Sequence, residues 1–260
     1  MIAYTILFYD FTGNKVIGLN IKNLECVVVD RNAPQSLFDY LKKEKIVYIK
    51  SGYIKNTLEA VSTHPDMQIC HIGANRYVCE PSLYEYYCNE LRKYDVKLFK
   101  GNKYISDTYP EDISYNVVVT ENIILHNLKY TDKVILNEVE SSAISIYKVK
   151  QGYTKCATCI IDDNALITSD ESIYKVCVAN NIDCLLIEKG YIKLDDKHNG
   201  FIGGCCGFIE SEKLLFCGDI TSHPSYNKIV EFASKYSVKI ISSSNDILSD
   251  IGSIIPVVKK

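Results

Sequence analysis

Short apolar runs closed by polar turns alternate along this chain with stretches whose apolar residues recur at helical spacing. The short runs, rich in Val, Ile, Tyr and Cys, predict strands, and the periodic stretches predict amphipathic helices. Four strand pairs are joined by tight turns: Gln68–Ile72 with Arg76–Cys79, Asn116–Thr120 with Ile123–His126, Thr158–Asp162 with Ala165–Thr168, and Gly207–Glu210 with Lys213–Cys217. Their turns are Gly73-Ala74-Asn75, Glu121-Asn122, Asp163-Asn164 and Ser211-Glu212, all suited to hairpins.

A helix and a further strand follow each pair. Helices are predicted over Ser82–Lys93, Thr131–Ser141, Glu171 to about Asn180, and Pro224–Lys235. Two closing strands have nearly the same sequence, Lys93-Tyr94-Asp95-Val96-Lys97-Leu98 and Lys235-Tyr236-Ser237-Val238-Lys239-Ile240. A second echo is Gly52-Tyr53-Ile54-Lys55, Gly152-Tyr153-Thr154-Lys155 and Gly190-Tyr191-Ile192-Lys193. Near the N-terminus, Glu25–Asp30, a helix over Pro34–Lys43 and a strand over Ile46–Lys50 supply most of a further copy.

Repetition of this kind decides the architecture before any motif does. The expectation is an α/β protein of about five ββαβ modules, roughly residues 1–63, 64–113, 114–154, 155–203 and 204–260, forming a single domain. One such unit cannot bury both faces of its small sheet, so neighbours stack, and five stacked units close as a propeller-like ring. The loops leading into each first strand then converge on the axis, a concave place for a ligand.

Composition narrows the function. The net charge of −3 and the lack of a basic run disfavour nucleic acid as a partner. No stretch approaches the ~20 apolar residues of a membrane span. Met1–Asp10 reads as a strand rather than a signal peptide, so a cytoplasmic protein with reduced cysteines is expected. Of the eleven cysteines, Cys26, Cys70, Cys79, Cys177, Cys184 and Cys217 lie within apolar runs and read as core. The sequence leaves the oligomeric state open.

Several segments carry a resemblance: Ser62-Thr63-His64-Pro65-Asp66, Gly152-Tyr153-Thr154-Lys155-Cys156, Gly200-Phe201-Ile202-Gly203-Gly204, Gly218-Asp219-Ile220-Thr221-Ser222-His223-Pro224 and Asp250-Ile251-Gly252-Ser253-Ile254-Ile255-Pro256. Over roughly residues 60–260 they resemble an uncharacterised bacterial family of the pentein fold, the fold of the guanidino-group modifying enzymes. The resemblance implies a cysteine nucleophile near the start of the last module, carboxylates that hold a planar cation, and a histidine that moves protons. Here the last module opens with Gly203-Gly204-Cys205-Cys206-Gly207, while the histidine motif those enzymes carry in their third module is absent.

Cys205 and Cys206 are accordingly candidate nucleophiles, or small residues filling a crowded strand start; strand alternation lets only one face a pocket. Cys156 leads into the fourth module and is an equal candidate. Its C-x-x-C with Cys159 lacks a second pair, so no metal site is expected there, and no cofactor. His64 is the candidate acid/base. Asp66, Asn116, Lys155, Gly203 and Gly204 are the candidate substrate-binding positions. The expected ligand is a small guanidino or amidino compound, and the implied chemistry is that of a cysteine hydrolase or amidinotransferase. The alternative is a non-catalytic binding or scaffold protein on the same fold.

Overall fold

The computed structural model describes residues 23–140 and 144–259. The strand expected at Met1–Asp10 lies outside them. In chain order the elements are β1 (Leu24–Val29), α1 (Gln35–Lys43), β2 (Tyr48–Lys50), α2 (Pro65–Gln68), β3 (Ile69–His71), β4 (Arg76–Cys79), α3 (Tyr84–Leu91) and β5 (Lys97–Lys100). The chain continues with β6 (Val118–Val119), β7 (Ile123–His126), α4 (Lys133–Glu140), β8 (Ser145–Lys148), β9 (Thr158–Asp162), β10 (Ala165–Thr168), α5 (Glu171–Ala179) and β11 (Asp183–Leu186). It ends with β12 (Cys206–Glu210), β13 (Lys213–Phe216), α6 (Tyr226–Ser234), β14 (Lys239–Ser242) and β15 (Ile255–Val258).

These strands form five separate three-stranded sheets, and no closed sheet occurs among the described residues. In every sheet the middle strand pairs antiparallel on one side and parallel on the other: β4 with β3 and β5, β7 with β6 and β8, β10 with β9 and β11, β13 with β12 and β14. An antiparallel neighbour needs only a hairpin, whereas a parallel one needs a crossover, which the helix provides. The third copy is the smallest, with a two-residue opening strand.

Local chemistry fixes these boundaries. Thr120 Oγ1 accepts the amides of Asn122 and Ile123 and so closes the β6–β7 turn. Asp170 caps α5 by accepting the amides of Ser172 and Ile173. His64 precedes α2, with Pro65 at the first helical position, where its missing N–H costs nothing.

The first sheet completes itself from the far end of the chain. Its opening strand is β15, antiparallel to β1 with Val28 opposite Ile255 and Leu24 opposite Val258. Neighbouring copies touch through specific groups. Tyr77 bonds to β15, Arg76 Nη1 donates to Glu138 O, Thr120 Oγ1 donates to Asp163 O, and Tyr236 donates to Asp183. A cluster of Val27, Val29, Leu37, Ile209, Leu215 and Ile254 joins the first copy to the last. Burying a side chain the size of Leu37 contributes about 1.5–3 kcal/mol.

Candidate active site at the strand lead-ins

The loops that lead into β3, β6, β9, β12 and β15 bring together side chains that are distant in sequence. Asn116, just ahead of β6, accepts the amides of Lys155 and Cys156 at its Oδ1, 2.8 and 3.1 Å away. Two donors on one oxygen fix the amide's orientation. Its Nδ2 is thereby aimed at Cys156 Sγ, 3.1 Å away. The Cys156 thiol donates to Asp66 Oδ2 at 3.0 Å.

Asp66 is further engaged by Ser253, whose Oγ lies 2.7 Å from Oδ2 and 2.9 Å from Gly203 O. One hydroxyl proton serves one of these acceptors at a time. Lys155 Nζ donates to the same Oγ at 3.0 Å. Asp66 Oδ1, though buried, has no hydrogen-bond partner.

His64 stands between two more buried carboxylates. Its Nε2 is 3.8 Å from Asp30 Oδ2, and its Nδ1 is 3.9 Å from Asp250 Oδ1. Both distances exceed hydrogen-bond range, and Nδ1 is left without a partner. Glycines make the space. A Cβ at Gly204 would lie 2.1 Å from Asp250 Oδ1, and one at Gly252, where φ is +65°, would lie 2.2 Å from His64 Cβ. One donor atom from each of His64, Asp66 and Cys156 lies within 4.8 Å of the other two.

The electrostatics are those of a buried site with excess negative charge. Burial pushes the Cys156 thiol well above its ordinary range, and the charges of Asp66 and Asp250 push it further. Burial likewise raises the Asp250 carboxyl. The resting sulfur is therefore a neutral thiol. A cation placed among Asp30, Asp66 and Asp250 offsets part of this negative charge at Sγ.

Of the residues expected from sequence, His64, Asp66, Asn116, Lys155 and Cys156 meet in this cluster. Gly203 joins it through its carbonyl, and Gly204 makes room for Asp250 while its amide bonds to Cys156 O at 2.9 Å. Cys205 and Cys206 are placed otherwise: their thiols approach Ile202 O at 3.1 and 3.3 Å within a hydrophobic cluster. Cys159 lies in the same cluster, its thiol hydrogen-bonded to Cys206. Asp30, Asp250 and Ser253 were not singled out by sequence. The signal for two of them was present, since both sit in the segment Asp250–Pro256. A cavity of about 80 Å³ lies beyond the cluster, lined by Asp66 and Lys155 at the lead-ins and by His71, Thr120 and Glu121 at the hairpin turns.

Residues 28–255, which include every one of these positions, match one protein family model. The chain belongs to the DUF6873 family, a family of unknown function. No curated protein is significantly similar to it in sequence. Solved structures are similar in fold. SxtG, an amidinotransferase from Microseira wollei in the saxitoxin biosynthetic pathway, is 10% identical, with a TM-score of 0.58 over 94% of this chain and 97% of that one. The inosamine-phosphate amidinotransferase of Streptomyces griseus is 8% identical, with a TM-score of 0.56 over 95% and 98%. The agmatine deiminase of C. jejuni is 11% identical, with a TM-score of 0.52 over 92% and 93%. This member of the DUF6873 family thus has the pentein fold, the fold of the guanidino-group modifying enzymes. No helix among the described residues is long and apolar enough to cross a membrane.

Proposed function

We propose that this protein is a cysteine-dependent hydrolase or amidinotransferase acting on a small guanidino or amidino compound, with Cys156 as its nucleophile. In this reading the five modules close as a ring, the lead-in loops face its axis, and the protein works in the cytoplasm. The contacts between neighbouring copies, and the eleven cysteines, none in a disulfide among the described residues, support that setting. The observation that carries the proposal is the buried convergence of Cys156, Asp66 and His64.

The substrate cation binds where Asp66 Oδ1 lacks a partner, between Asp66 and Asp250. Its charge offsets the carboxylates that hold Cys156 neutral, and the thiol proton passes to Asp66, to which it is already hydrogen-bonded. Sγ then adds to the central carbon of the guanidinium. The amine departs with a proton from His64, leaving an amidino group on sulfur. Attack by water, deprotonated by His64, gives a ureido product and frees the thiol. Attack by a second amine gives a new guanidine. Cys156 is favoured because its thiol bonds to Asp66 beside His64, whereas those of Cys205 and Cys206 approach the Ile202 carbonyl; Cys206 also lines the cavity.

The test is turnover of agmatine, arginine and dimethylarginine, read as ureido product, with trapping of a covalent adduct by intact-mass spectrometry. Turnover lost in Cys156→Ser and kept in Cys205→Ser and Cys206→Ser supports the assignment; turnover kept in Cys156→Ser sinks it. The alternative, non-catalytic binding of the same class of ligand, is favoured by the neutral resting thiol and by a cavity far below the ~300–1,000 Å³ of drug-sized sites. Saturable binding of agmatine with no product from any substrate in the panel would select it.

A further inference from the structure

The convergence of His64, Asp66 and Cys156 has a second chemical meaning. An imidazole, a carboxylate and a thiol are three ligand types of tetrahedral zinc sites, which take N, O and S donors. Their donor atoms are within 4.8 Å of one another, and all three residues are buried. We infer that His64, Asp66 and Cys156 form a three-ligand site for a divalent thiophilic ion of the zinc class, and that this ion sequesters the Cys156 sulfur.

Two observations beyond the donor set point to a ligand. His64 Nδ1 and Asp66 Oδ1 are buried polar atoms with no hydrogen-bond partner, an arrangement that costs stability unless something fills it. Charged and polar groups also surround the donors. Asp30 faces His64 Nε2 at 3.8 Å, Asn116 Nδ2 meets Sγ at 3.1 Å, and Ser253 Oγ meets Asp66 at 2.7 Å. Such outer partners orient metal ligands and tune their basicity. Asp30 and Asp250 add negative charge that a divalent ion offsets and Lys155 alone does not.

The donor set selects the metal. Calcium and magnesium prefer six or more oxygens, whereas one sulfur, one nitrogen and one oxygen suit zinc or cobalt. On binding, the S–H bond breaks, the proton leaves to solvent and a metal–sulfur bond forms, with no change of oxidation state. Three protein ligands leave a fourth position for water. Donation to the metal lowers the nucleophilicity of the sulfur, and the ion occupies the place of the substrate cation, so the ion inhibits the proposed turnover. That inhibition rests on the reading of Cys156 as nucleophile; the binding does not.

The test titrates the full chain, freed of metal with a chelator, with Co²⁺ alone. One equivalent is expected to bind with a near-ultraviolet thiolate-to-cobalt band, and Zn²⁺ is expected to displace it. Cys156→Ser loses the band, and Asp66→Asn weakens binding at least tenfold, both with unchanged circular dichroism. Because either variant could misfold, alkylation of the wild-type chain is mapped by mass spectrometry with and without Zn²⁺, and the ion is expected to slow labelling of Cys156 at least tenfold. A band that persists in folded Cys156→Ser, no band in the wild type, or unprotected Cys156 overturns the inference. A cobalt band, with no turnover of any guanidino compound by the chelator-treated chain, sinks the catalytic reading and leaves the metal site standing. Turnover by the chelator-treated chain, with no cobalt band on titration, does the reverse.

Discussion

Cys156 and Asp66, ninety residues apart in sequence, share a hydrogen bond of 3.0 Å that joins the lead-in of one module to that of another. The carboxylate both accepts the thiol proton and opposes its loss.

Neutralising that carboxylate therefore changes the reactivity of the sulfur. In Asp66→Asn the opposing charge is gone, and the Cys156 pKa falls. The pH profile of Cys156 alkylation in chelator-treated protein is expected to move to lower pH, with more thiolate at any pH below the midpoint. An unchanged profile, measured residue by residue with iodoacetamide, would show that Asp66 does not control the thiol.

One phenol in the second copy ties it to β15 of the first. Tyr77 donates to Pro256 O and accepts from Val258 N, both at 3.0 Å. Tyr77→Phe leaves a half-buried carbonyl and a buried amide without this partner. The expected cost is about 1–3 kcal/mol per orphaned group, read as a lower urea midpoint. A variant as stable as the wild type would mean that water replaces the hydroxyl.

Gly252 is required twice over, by its positive φ of +65° and by its 2.2 Å approach to His64. Gly252→Ala is expected to lose about 1–3 kcal/mol through backbone strain. Gly204→Ala meets only side-chain carboxylate, at 2.1 Å from Asp250. It is expected to fold, displace Asp250 and lower turnover about 100-fold. Circular dichroism and steady-state rates on the same samples separate the two effects.

His126 supplies a pH dependence remote from the cluster. Nδ1 lies 2.5 Å from Thr131 Oγ1 and Nε2 3.1 Å from Gly152 O, a pattern that suits the neutral ring. Burial lowers its pKa to about 4. The unfolded chain, with histidine near its ordinary 6.5, binds the proton more readily, so stability is present above pH 6.5 and is lost as pH falls toward 4. The loss is on the order of 3 kcal/mol. Asp163, raised to about 6 by burial, acts in the opposite direction in an overlapping window. The comparison of wild type with His126→Gln isolates the histidine: the wild type should lose more stability between pH 7 and 4.5.

Much of the repeat is local and was legible. Thr158–Asp162 and Ala165–Thr168 are strands with the bounds their sequence predicts, because the Asp163-Asn164 turn and the alternating apolar residues act within a few positions. β15 was not legible as a partner of β1. Nothing in Ile255–Val258 specifies a strand more than two hundred residues away, and the pairing follows from the packing of copies. At the candidate site, repetition located His64, Asp66, Asn116 and Cys156, since each leads into an opening strand. It did not locate Asp30, which ends an apolar run, nor show that Asp250 is held under glycines. Alternation could not place Cys205, because β12 begins one residue later, at Cys206.

The pairing of β1 with β15 also sets an order of assembly. During synthesis Leu24–Val29 emerges more than two hundred residues before its antiparallel partner, Ile255–Val258. Four sheets can acquire all three strands in succession as the chain lengthens, while β1 waits for a strand still to be made. A nascent chain halted before Ile255 leaves β1 to pair with any other strand in reach, so the sheet that waits longest is the one whose completion guards against mispairing.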